Sequence, residues 1–274
     1  MTLTPDLPGP FWLVGCGNMG GAMLRGWLDA GVDPARITVI RPSGAPVAGG
    51  VRVLTVAPED EVPALVMLAM KPQMLDAAVP GLAPALDART ILVSILAGVE
   101  QASLRARFPV CETVVRAMPN TPVGIRKGAI ALYSDGTDNP ALVAVDVLMR
   151  ALGTVEWVDA ESLFDVVTAL SGCGPAFLFR FADAMAEAAV HLGLPRDQAA
   201  RLAIATVEGA SALAAASHET PAQLADRVAS PGGATRKGLD VLDHHDRLVL
   251  LMRQTLEAAV RRSREMAEAA RGGS

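Results

Sequence analysis

The stretch FWLVGCGNMG, residues 11–20, decides the fold of this chain. Residues 11–14 form a short, continuous apolar run, which is typical of a strand that is buried on both faces. Residues 15–20 then read G-x-G-x-x-G, and a helical pattern follows as far as Ala30. A strand, a glycine-rich turn and a helix in one unit of about 30 residues predict the phosphate-binding turn of a dinucleotide-binding α/β domain.

Each glycine of this turn has a separate physical role. Gly15 permits the tight turn, Gly17 lets the backbone approach a pyrophosphate, and Gly20 lets the helix pack closely on the strand. The N-terminus of the helix adds unpaired N–H groups and a partial positive charge. A glycine turn without a ligand stays open as the alternative. We expect the whole turn to contact a dinucleotide: Gly15, Cys16, Gly17, Asn18, Met19 and Gly20.

The end of the second predicted strand, residues 37–40, indicates which dinucleotide binds. An NAD site would offer Asp or Glu to the ribose hydroxyls about 20 residues after the glycines. This chain offers Arg41-Pro42-Ser43 instead. An arginine can bind the 2′-phosphate of NADPH through charge-assisted hydrogen bonds, so we predict a preference for NADPH, with NADH as a weaker substitute. The alternative for Arg41 is a solvated surface arginine.

Further strand-like runs alternate with helical patterns over the first 158 residues. The runs cover residues 51–54, 65–70, 90–96, 113–117, 129–133 and 154–158. This alternation predicts right-handed βαβ units and a mostly parallel sheet. The run 65–70 leads into Lys71 and Pro72, and Lys71 should emerge at the ligand cleft, because ligands lie beyond the carboxyl ends of parallel strands. A lysine that only ends the strand is the alternative.

After Asp159 the strand-like runs stop and alanine-rich helical patterns continue to the C-terminus. We predict helices over residues 176–192, 196–217 and 247–270. The fold class is therefore α/β, with a Rossmann-like dinucleotide-binding domain over residues 1–158 and an all-α domain over residues 159–274. The alanine content of the second domain fits either high helix propensity or a dimer interface, and the sequence leaves both open.

Composition excludes several classes of function. The chain has 274 residues, 51% of them hydrophobic, and 24 basic against 29 acidic residues give a net charge of −5. This acidic balance argues against binding to a nucleic-acid backbone. Uninterrupted apolar runs are shorter than the roughly 20 residues that span a bilayer, and no signal-peptide pattern begins the chain. We expect a cytoplasmic protein that binds neither membranes nor nucleic acid.

No metal site is expected from the histidines and cysteines. The three cysteines form no C-x-x-C pair, and the four histidines lack metal-ligand spacing. Their types and positions therefore predict neither a disulfide framework nor a structural zinc site.

Three polar segments rich in Gly and Pro interrupt the apolar sequence: RAMPNTP at 116–122, LSGCGPA at 170–176 and VASPGGAT at 228–235. The last segment opens a predicted helix. Its backbone N–H groups suit a carboxylate, although an ordinary loop with a threonine N-cap explains the same residues.

Together with GCGNMG and AMKP, these segments resemble the pyrroline-5-carboxylate reductase family over nearly the whole chain and in the same order. The most specific stretch is AQLADRVASPGGATRKGLD, residues 222–240. The resemblance implies a Rossmann domain followed by a helical domain through which subunits form homodimers, sometimes assembled further. It also implies the reduction of L-1-pyrroline-5-carboxylate to L-proline, the final step of proline biosynthesis, with NADPH or NADH.

The resemblance also assigns roles to residues. Cofactor contacts fall on the glycine turn and on Arg41, Ser43, Ala69, Met70, Lys71, Pro72 and Asn120. Substrate contacts fall on Thr121, Glu161, Ser230, Gly232, Gly233, Ala234 and Thr235. In this interpretation the N–H groups of residues 232–234 bind the substrate carboxylate. The Thr235 hydroxyl is the catalytic candidate that hydrogen-bonds the ring nitrogen, and the loop reaches the site of the dimer partner.

Three positions depart from the family pattern. Cys173 stands where the family commonly has serine, Ala57 replaces an asparagine on the adenine side, and Arg227 stands where some members have asparagine. Two other functions stay open. The protein reduces a different cyclic imine, or it is a non-catalytic homologue that binds NADP(H) and acts as a regulator. The intact loop at residues 230–235 argues against the regulator, which would not need it.

Overall fold

The computed structural model describes residues 9–136 and 140–271. Every predicted strand is present, and the bounds are β1 (Phe11–Val14), β2 (Ile37–Ile40), β3 (Arg52–Leu54), β4 (Leu65–Leu68), β5 (Ile91–Ser94), β6 (Thr113–Met118), β7 (Gly128–Tyr133) and β8 (Gly153–Trp157). Three strands, β4, β5 and β8, are shorter than predicted at their carboxyl ends. For β4 the last ladder contact is the N–H of Ala69, which donates to the carbonyl of Val14 at 2.8 Å, and the chain beyond it lines a cleft with Met70 and Lys71.

The strands form one sheet in the order β3-β2-β1-β4-β5-β6-β7-β8. Neighbouring strands are parallel except β6 and β7, which pair antiparallel. The predicted Rossmann-like, mostly parallel sheet is therefore confirmed. The strand order reverses between β1 and β4, and a crevice for ligands opens at such a switch point.

Helices flank the strands and then make up the rest of the chain. The bounds are α1 (Asn18–Asp29), α2 (Leu75–Leu82), α3 (Gln101–Arg107), α4 (Ala141–Arg150), α5 (Phe164–Val167), α6 (Gly174–His191), α7 (Arg196–Ala216), α8 (Pro221–Arg227), α9 (Ala234–Asp243) and α10 (Arg247–Arg271). The three predicted long helices correspond to α6, α7 and α10, with small differences at their ends. The predicted α/β fold followed by a helical region is confirmed.

Both faces of the sheet are buried, which explains the unbroken apolar runs. On β1, Phe11 and Leu13 face one core, while Trp12 and Val14 face the other. Phe11 meets Trp27 of α1 edge to face, with ring centroids 5.1 Å apart. The indole N–H of Trp27 donates to the carbonyl of Leu148 at 2.9 Å, so this polar atom is satisfied inside the core.

The chain divides into two compact units after Cys173 rather than after residue 158. One unit holds the described residues up to Cys173 together with those from Ala259 onward, and the other is Gly174–Ala258. Residues just after the last strand stay with the sheet, because Phe164 packs edge to face on Tyr133. The described residues from Ala259 onward also belong to the sheet unit. Among them, the Ser263 hydroxyl donates to the Asp165 carboxylate at 2.7 Å. That residues 159–274 act together as one helical domain for substrate binding and dimerisation stays a prediction.

In the unit Gly174–Ala258, α6 and α7 pack against each other through small residues. Ala182, Ala199 and Ala203 are buried there. Large apolar side chains on the same helices remain exposed: Leu178, Phe179, Phe181, Leu192, Leu202, Ile204 and Leu213. So much exposed apolar surface is typical of a protein interface.

Two helical segments are long and apolar enough to cross a membrane, judged by length and composition alone. They are Glu161–His191 and Arg196–Ala216, and 11% of the apolar window of each is buried. The sequence analysis counted only uninterrupted apolar runs, and neither helix is one such run over its whole length. One or two such helices are weak evidence for a membrane protein.

Candidate dinucleotide-binding cleft and substrate loop

A cleft with a volume of about 930 Å³ opens beyond the carboxyl ends of β1 and β4, at the switch point of the sheet. The predicted cofactor residues that line it are Gly15, Cys16, Gly17, Asn18, Met19, Arg41, Ser43, Ala69, Met70 and Lys71. They come from three separate parts of the sequence, residues 15–19, 41–43 and 69–71. The parallel sheet brings these parts to one edge, as expected for a Rossmann-like domain.

The glycine turn has the shape that a dinucleotide requires. Gly15 has a φ of +86°, and a Cβ there would lie 2.7 Å from the backbone nitrogen of Met70. A Cβ on Gly20 would lie 3.2 Å from the Cβ of Ala69, whereas one on Gly17 would meet nothing within 4 Å. Gly15 and Gly20 are therefore needed for packing, and Gly17 leaves the backbone open to a ligand. Among the described residues no side chain caps α1, so its first N–H groups are available to a phosphate.

Arg41 is placed by its backbone and leaves its side chain available. Its N–H donates to the carbonyl of Leu54 at 2.9 Å, which ties the end of β2 to β3. Within the described ranges its guanidinium has no carboxylate within 4.0 Å. Ser43 is exposed, and its hydroxyl accepts from the N–H of Ala45 at 3.4 Å. An unpaired arginine beside an exposed hydroxyl suits a phosphate group.

Most of the apolar residues that line the cleft were not predicted from the sequence. Val56 is 72% exposed and Met74 is 44% exposed, and both line the cleft beside Ala57. The other lining residues outside the sequence prediction are Val14, Ile40, Pro42, Thr55, Ala77, Ala78, Gly81 and Leu82. Val14 and Ile40 end β1 and β2, and the others lie just after β2 or β3 or on α2 beyond Pro72, which was the signal available in the sequence.

Cys16 lines the cleft with its thiol in the neutral form. Burial raises its pKa above the ordinary value for a thiol, and the nearby charges of Arg41 and Arg25 lower it by less. A raised pKa leaves little thiolate at neutral pH, which agrees with a role for the backbone of this residue rather than its sulfur.

Asn120 and the neighbouring Thr121 lie outside the lining of this cleft, as do Gly20 and Pro72. The Asn120 side chain joins three parts of the sheet unit: its amide donates to the carbonyl of Ser171 at 3.0 Å, and its oxygen accepts from the N–H of Ala129 at 2.9 Å. Thr121 is exposed at the start of the 3-10 turn Thr121–Ile125. The side chain of Asn120 is therefore engaged in holding the backbone.

Glu161 already has two protein donors on one carboxylate oxygen. Its Oε1 accepts from the backbone N–H of Gln101 at 2.6 Å and from Arg116 Nη1 at 2.8 Å. Arg116 is almost fully buried and also stacks on the ring of Phe164, 4.4 Å from the centroid. Glu161 Oε2 has no partner within the described ranges, so one oxygen stays available to a ligand.

The loop at residues 230–235 belongs to the unit Gly174–Ala258 and opens α9. Gly233 is the N-cap, and its N–H donates to the carbonyl of Ser230 at 3.0 Å. This contact corrects the expectation that the Gly233 N–H binds a carboxylate, because the turn itself uses that donor. A Cβ on Gly233 would lie 2.6 Å from Ser230 Oγ, so glycine is needed there. Thr235 is exposed, and no described residue bonds to its hydroxyl.

Ion pairs stabilise the helices around this loop. Arg236 binds Asp226 of α8 at 3.2 Å, and Asp240 and Asp243 of α9 at 3.0 Å each. The hydrogen bond to Asp240 contributes most to raising the pKa of Arg236 above its ordinary value. These contacts link α8 to α9 across residues 228–233.

The three departures from the family pattern have different surroundings. Ala57 lines the cleft. Cys173 is a free, partly exposed cysteine whose N–H donates to the carbonyl of Thr168 at 2.8 Å. Arg227 pairs with Glu219, which neutralises its charge. In the part of the chain that the structure describes, no group of three His, Cys, Asp or Glu residues could hold a metal ion.

Comparisons with known proteins agree with this geometry. Residues 161–266 match the family model for pyrroline-5-carboxylate reductase dimerisation, and residues 11–98 match the model for NADP oxidoreductases that depend on coenzyme F420. The pyrroline-5-carboxylate reductase of Pseudomonas aeruginosa is 38% identical over 262 residues, which cover 93% of this chain and 96% of the relative.

Solved structures show the same fold. A pyrroline-5-carboxylate reductase from Coxiella burnetii is 31% identical, with a TM-score of 0.85 over 94% of this chain and 98% of that one. A pyrroline carboxylate reductase from Plasmodium falciparum with NADP bound is 24% identical, with a TM-score of 0.80 over 96% of this chain and 99% of that one. With its glycine turn, its cleft and its sequence identity to these relatives, the chain belongs to the pyrroline-5-carboxylate reductase family of oxidoreductases.

Proposed function

We propose that this protein reduces L-1-pyrroline-5-carboxylate to L-proline, the final step of proline biosynthesis, with NADPH preferred over NADH. The observation that carries the proposal is the cleft at the β1–β4 switch point, which combines an open glycine turn with the unpaired Arg41. Family membership over nearly the whole chain supports the substrate. The arginine at the end of β2 supports the preference for NADPH.

The chemistry requires few groups from the protein. The substrate is a cyclic imine with a carboxylate, and reduction adds a hydride to the imine carbon and a proton to the nitrogen. Bound NADPH supplies the hydride. The residues of this chain then have to orient both molecules, exclude water and hydrogen-bond the ring nitrogen, so no strong base is required.

The cofactor is held in this proposal by the residues that line the cleft. The N–H groups at the start of α1 bind the pyrophosphate, and Arg41 with Ser43 binds the 2′-phosphate. Residues 69–71 border the same space and support the cofactor beyond the end of β4. Pro72 ends that segment, and the buried Asn120 holds the backbone near the nicotinamide side through its contacts with Ser171 and Ala129.

The substrate contacts in this proposal are those that the family resemblance assigns, with the loop at residues 230–235 contributed by the partner subunit. The N–H groups of Gly232 and Ala234, which no described residue accepts, bind the carboxylate, while the Ser230 carbonyl shapes the turn by accepting the N–H of Gly233. The Thr235 hydroxyl hydrogen-bonds the ring nitrogen. Glu161 contributes Oε2, since Oε1 is committed to protein donors, and Thr121 lines the approach to the substrate.

We also propose a cytoplasmic homodimer or a higher homo-oligomer, in which the loop at residues 230–235 serves the site of the partner subunit. The match of residues 161–266 to a dimerisation model supports an assembly of identical chains. The exposed side chains of α6 and α7, among them Phe179 and Leu202, supply the apolar surface that such an interface buries.

One assay separates the candidate functions. NADPH oxidation by the purified protein is followed with L-1-pyrroline-5-carboxylate, with a six-membered cyclic imine carboxylate, and without substrate. Faster turnover of the five-membered ring supports the proposal. Faster turnover of the larger ring assigns a different imine, and NADPH binding without turnover of either assigns a non-catalytic regulator.

A further inference from the structure

A second, smaller cavity beside the dinucleotide cleft contains two arginines from different elements. It has a volume of about 190 Å³ and shares Cys16 and Arg41 with the larger cleft. Arg25 of α1 lines only the smaller cavity, whose remaining wall is Gly21, Leu24, Pro46, Val47 and Ala48. The two arginines therefore border one small space next to the phosphate-binding turn.

Arg25 reaches this space because helical side chains lean toward the N-terminus of their helix. Its Nη1 lies 3.6 Å from the point that a Cβ on Gly21 would occupy, and Cys16 Sγ lies 3.8 Å from the same point. The charges of Arg25 and Arg41 both act on the Cys16 thiol and lower its pKa against the larger effect of burial. The cavity wall and the thiol thus locate both cations beside Cys16.

Neither arginine pairs with an acidic residue in the part of the chain that the structure describes. Among residues 9–136 and 140–271, no carboxylate lies within 4.0 Å of Arg25 or Arg41, and neither side chain donates a hydrogen bond. Other arginines of the same unit are paired, as in Arg52–Glu61, Arg105–Asp135, Arg107–Asp76 and Arg150–Asp146. Two neighbouring positive charges without an acid repel each other, and a dianion bound between them would remove that repulsion.

We propose that Arg25 binds the 2′-phosphate of NADPH together with Arg41, as a second determinant of cofactor preference. The inference rests on the proposed function, whose cofactor it specifies further. Arg41 follows β2, at the place where Rossmann-like domains distinguish a ribose hydroxyl from a phosphate. A phosphate dianion accepts hydrogen bonds from two guanidinium groups at once, and the apolar Val47 and Ala48 reduce the competition from water.

The test compares two small ligands that differ only in the 2′-phosphate. Calorimetry measures the affinity for adenosine 2′,5′-bisphosphate and for AMP in the wild type, in Arg25→Gln and in Arg89→Gln. Arg89 is a matched control, because it is exposed, pairs with Asp87 and lines neither cavity. Arg25→Gln should weaken the bisphosphate about tenfold and AMP less than about twofold, as expected for one lost charge-assisted contact.

Two results overturn the inference: an equal loss of affinity for both ligands, or unchanged affinity for the bisphosphate in Arg25→Gln. Thermal unfolding of this variant should match that of the wild type, since Arg25 is exposed and unpaired. The titration needs no catalysis, so it separates the two proposals. A wild type that binds NADPH but does not reduce L-1-pyrroline-5-carboxylate would reject the proposed function and leave the role of Arg25 to be decided by the titration.

Discussion

Arg116 and Glu161 form a salt bridge that joins β6 to the first helical turn after the sheet, with 2.8 Å between Nη1 and Oε1. The arginine side chain is 7% exposed and the glutamate side chain 26%. Because Glu161 also accepts the N–H of Gln101, one carboxylate holds α3, β6 and the turn Glu161–Leu163 together. This contact explains why residues 159–173 belong to the sheet unit.

Removing the negative charge of this pair should destabilise the protein. Glu161→Gln leaves the buried Arg116 without a counter-charge, and we expect the free energy of unfolding to fall by about 1–3 kcal/mol. Urea unfolding measures the change, with Glu112→Gln at an exposed position as the control. A Glu161→Gln variant as stable as the control would contradict the prediction, and a double-mutant cycle with Arg116→Met gives the coupling directly.

Reversing the charge at Arg41 should reverse the cofactor preference. In Arg41→Asp a carboxylate would repel the 2′-phosphate and offer an acceptor to the ribose hydroxyls of NADH. We expect the ratio of NADPH to NADH affinity to fall by more than about tenfold. Titration of both cofactors, with Arg89→Gln as the control, measures this ratio. An unchanged ratio would remove Arg41 from the 2′-phosphate site.

Removing the Thr235 hydroxyl should slow reduction much more than it weakens cofactor binding. The hydroxyl has no partner in the described structure and is proposed to hydrogen-bond the ring nitrogen. We expect Thr235→Ala to lower kcat about 10- to 100-fold, while the Kd for NADPH changes less than about twofold. Thr206→Ala, an exposed helical threonine outside the loop, is the control. Wild-type turnover in Thr235→Ala would exclude the hydroxyl from the reaction.

The apolar surface of α6 and α7 should keep the protein oligomeric in dilute solution. Phe179 is 67% exposed in the single chain, and burying its ring between subunits would contribute about 2 kcal/mol. Light scattering of the wild type should report a dimer or a larger assembly, and Phe179→Glu should shift it toward the monomer. A wild type that is monomeric at micromolar concentration would refute the dimer.

The buried thiol of Cys111 should make stability fall at alkaline pH. Burial raises its pKa to about 11, with a smaller contribution from Asp87. The thiol of the unfolded chain ionises near about 8.5, so above this pH the unfolded state holds fewer protons than the folded state and becomes favoured. Between about pH 9 and 11, the free energy of unfolding should fall less in Cys111→Ala than in the wild type. Urea unfolding at several pH values checks this, and a wild-type slope in Cys111→Ala would contradict the prediction.

Local sequence determined the strands, the long helices and the phosphate-binding turn. Runs such as Leu65–Leu68 are apolar throughout because both faces of the sheet are covered, and the helix propensity of alanine marks α6 and α7. The need for glycine at positions 15 and 20 comes from contacts with residues close in sequence or on the adjacent strand. Such features can be read from the sequence because the interactions that produce them are short in range or repeat in every domain of this type.

Only the tertiary structure decided which atoms of the candidate site are free. It commits Glu161 Oε1 to Arg116 and Gln101, both amide atoms of Asn120 to backbone partners, and the Gly233 N–H to its own turn. It also places Arg25 beside Arg41 around one cavity. These pairings depend on side-chain directions and on contacts between residues that are mostly far apart in sequence, and neither propensity nor spacing contains that information.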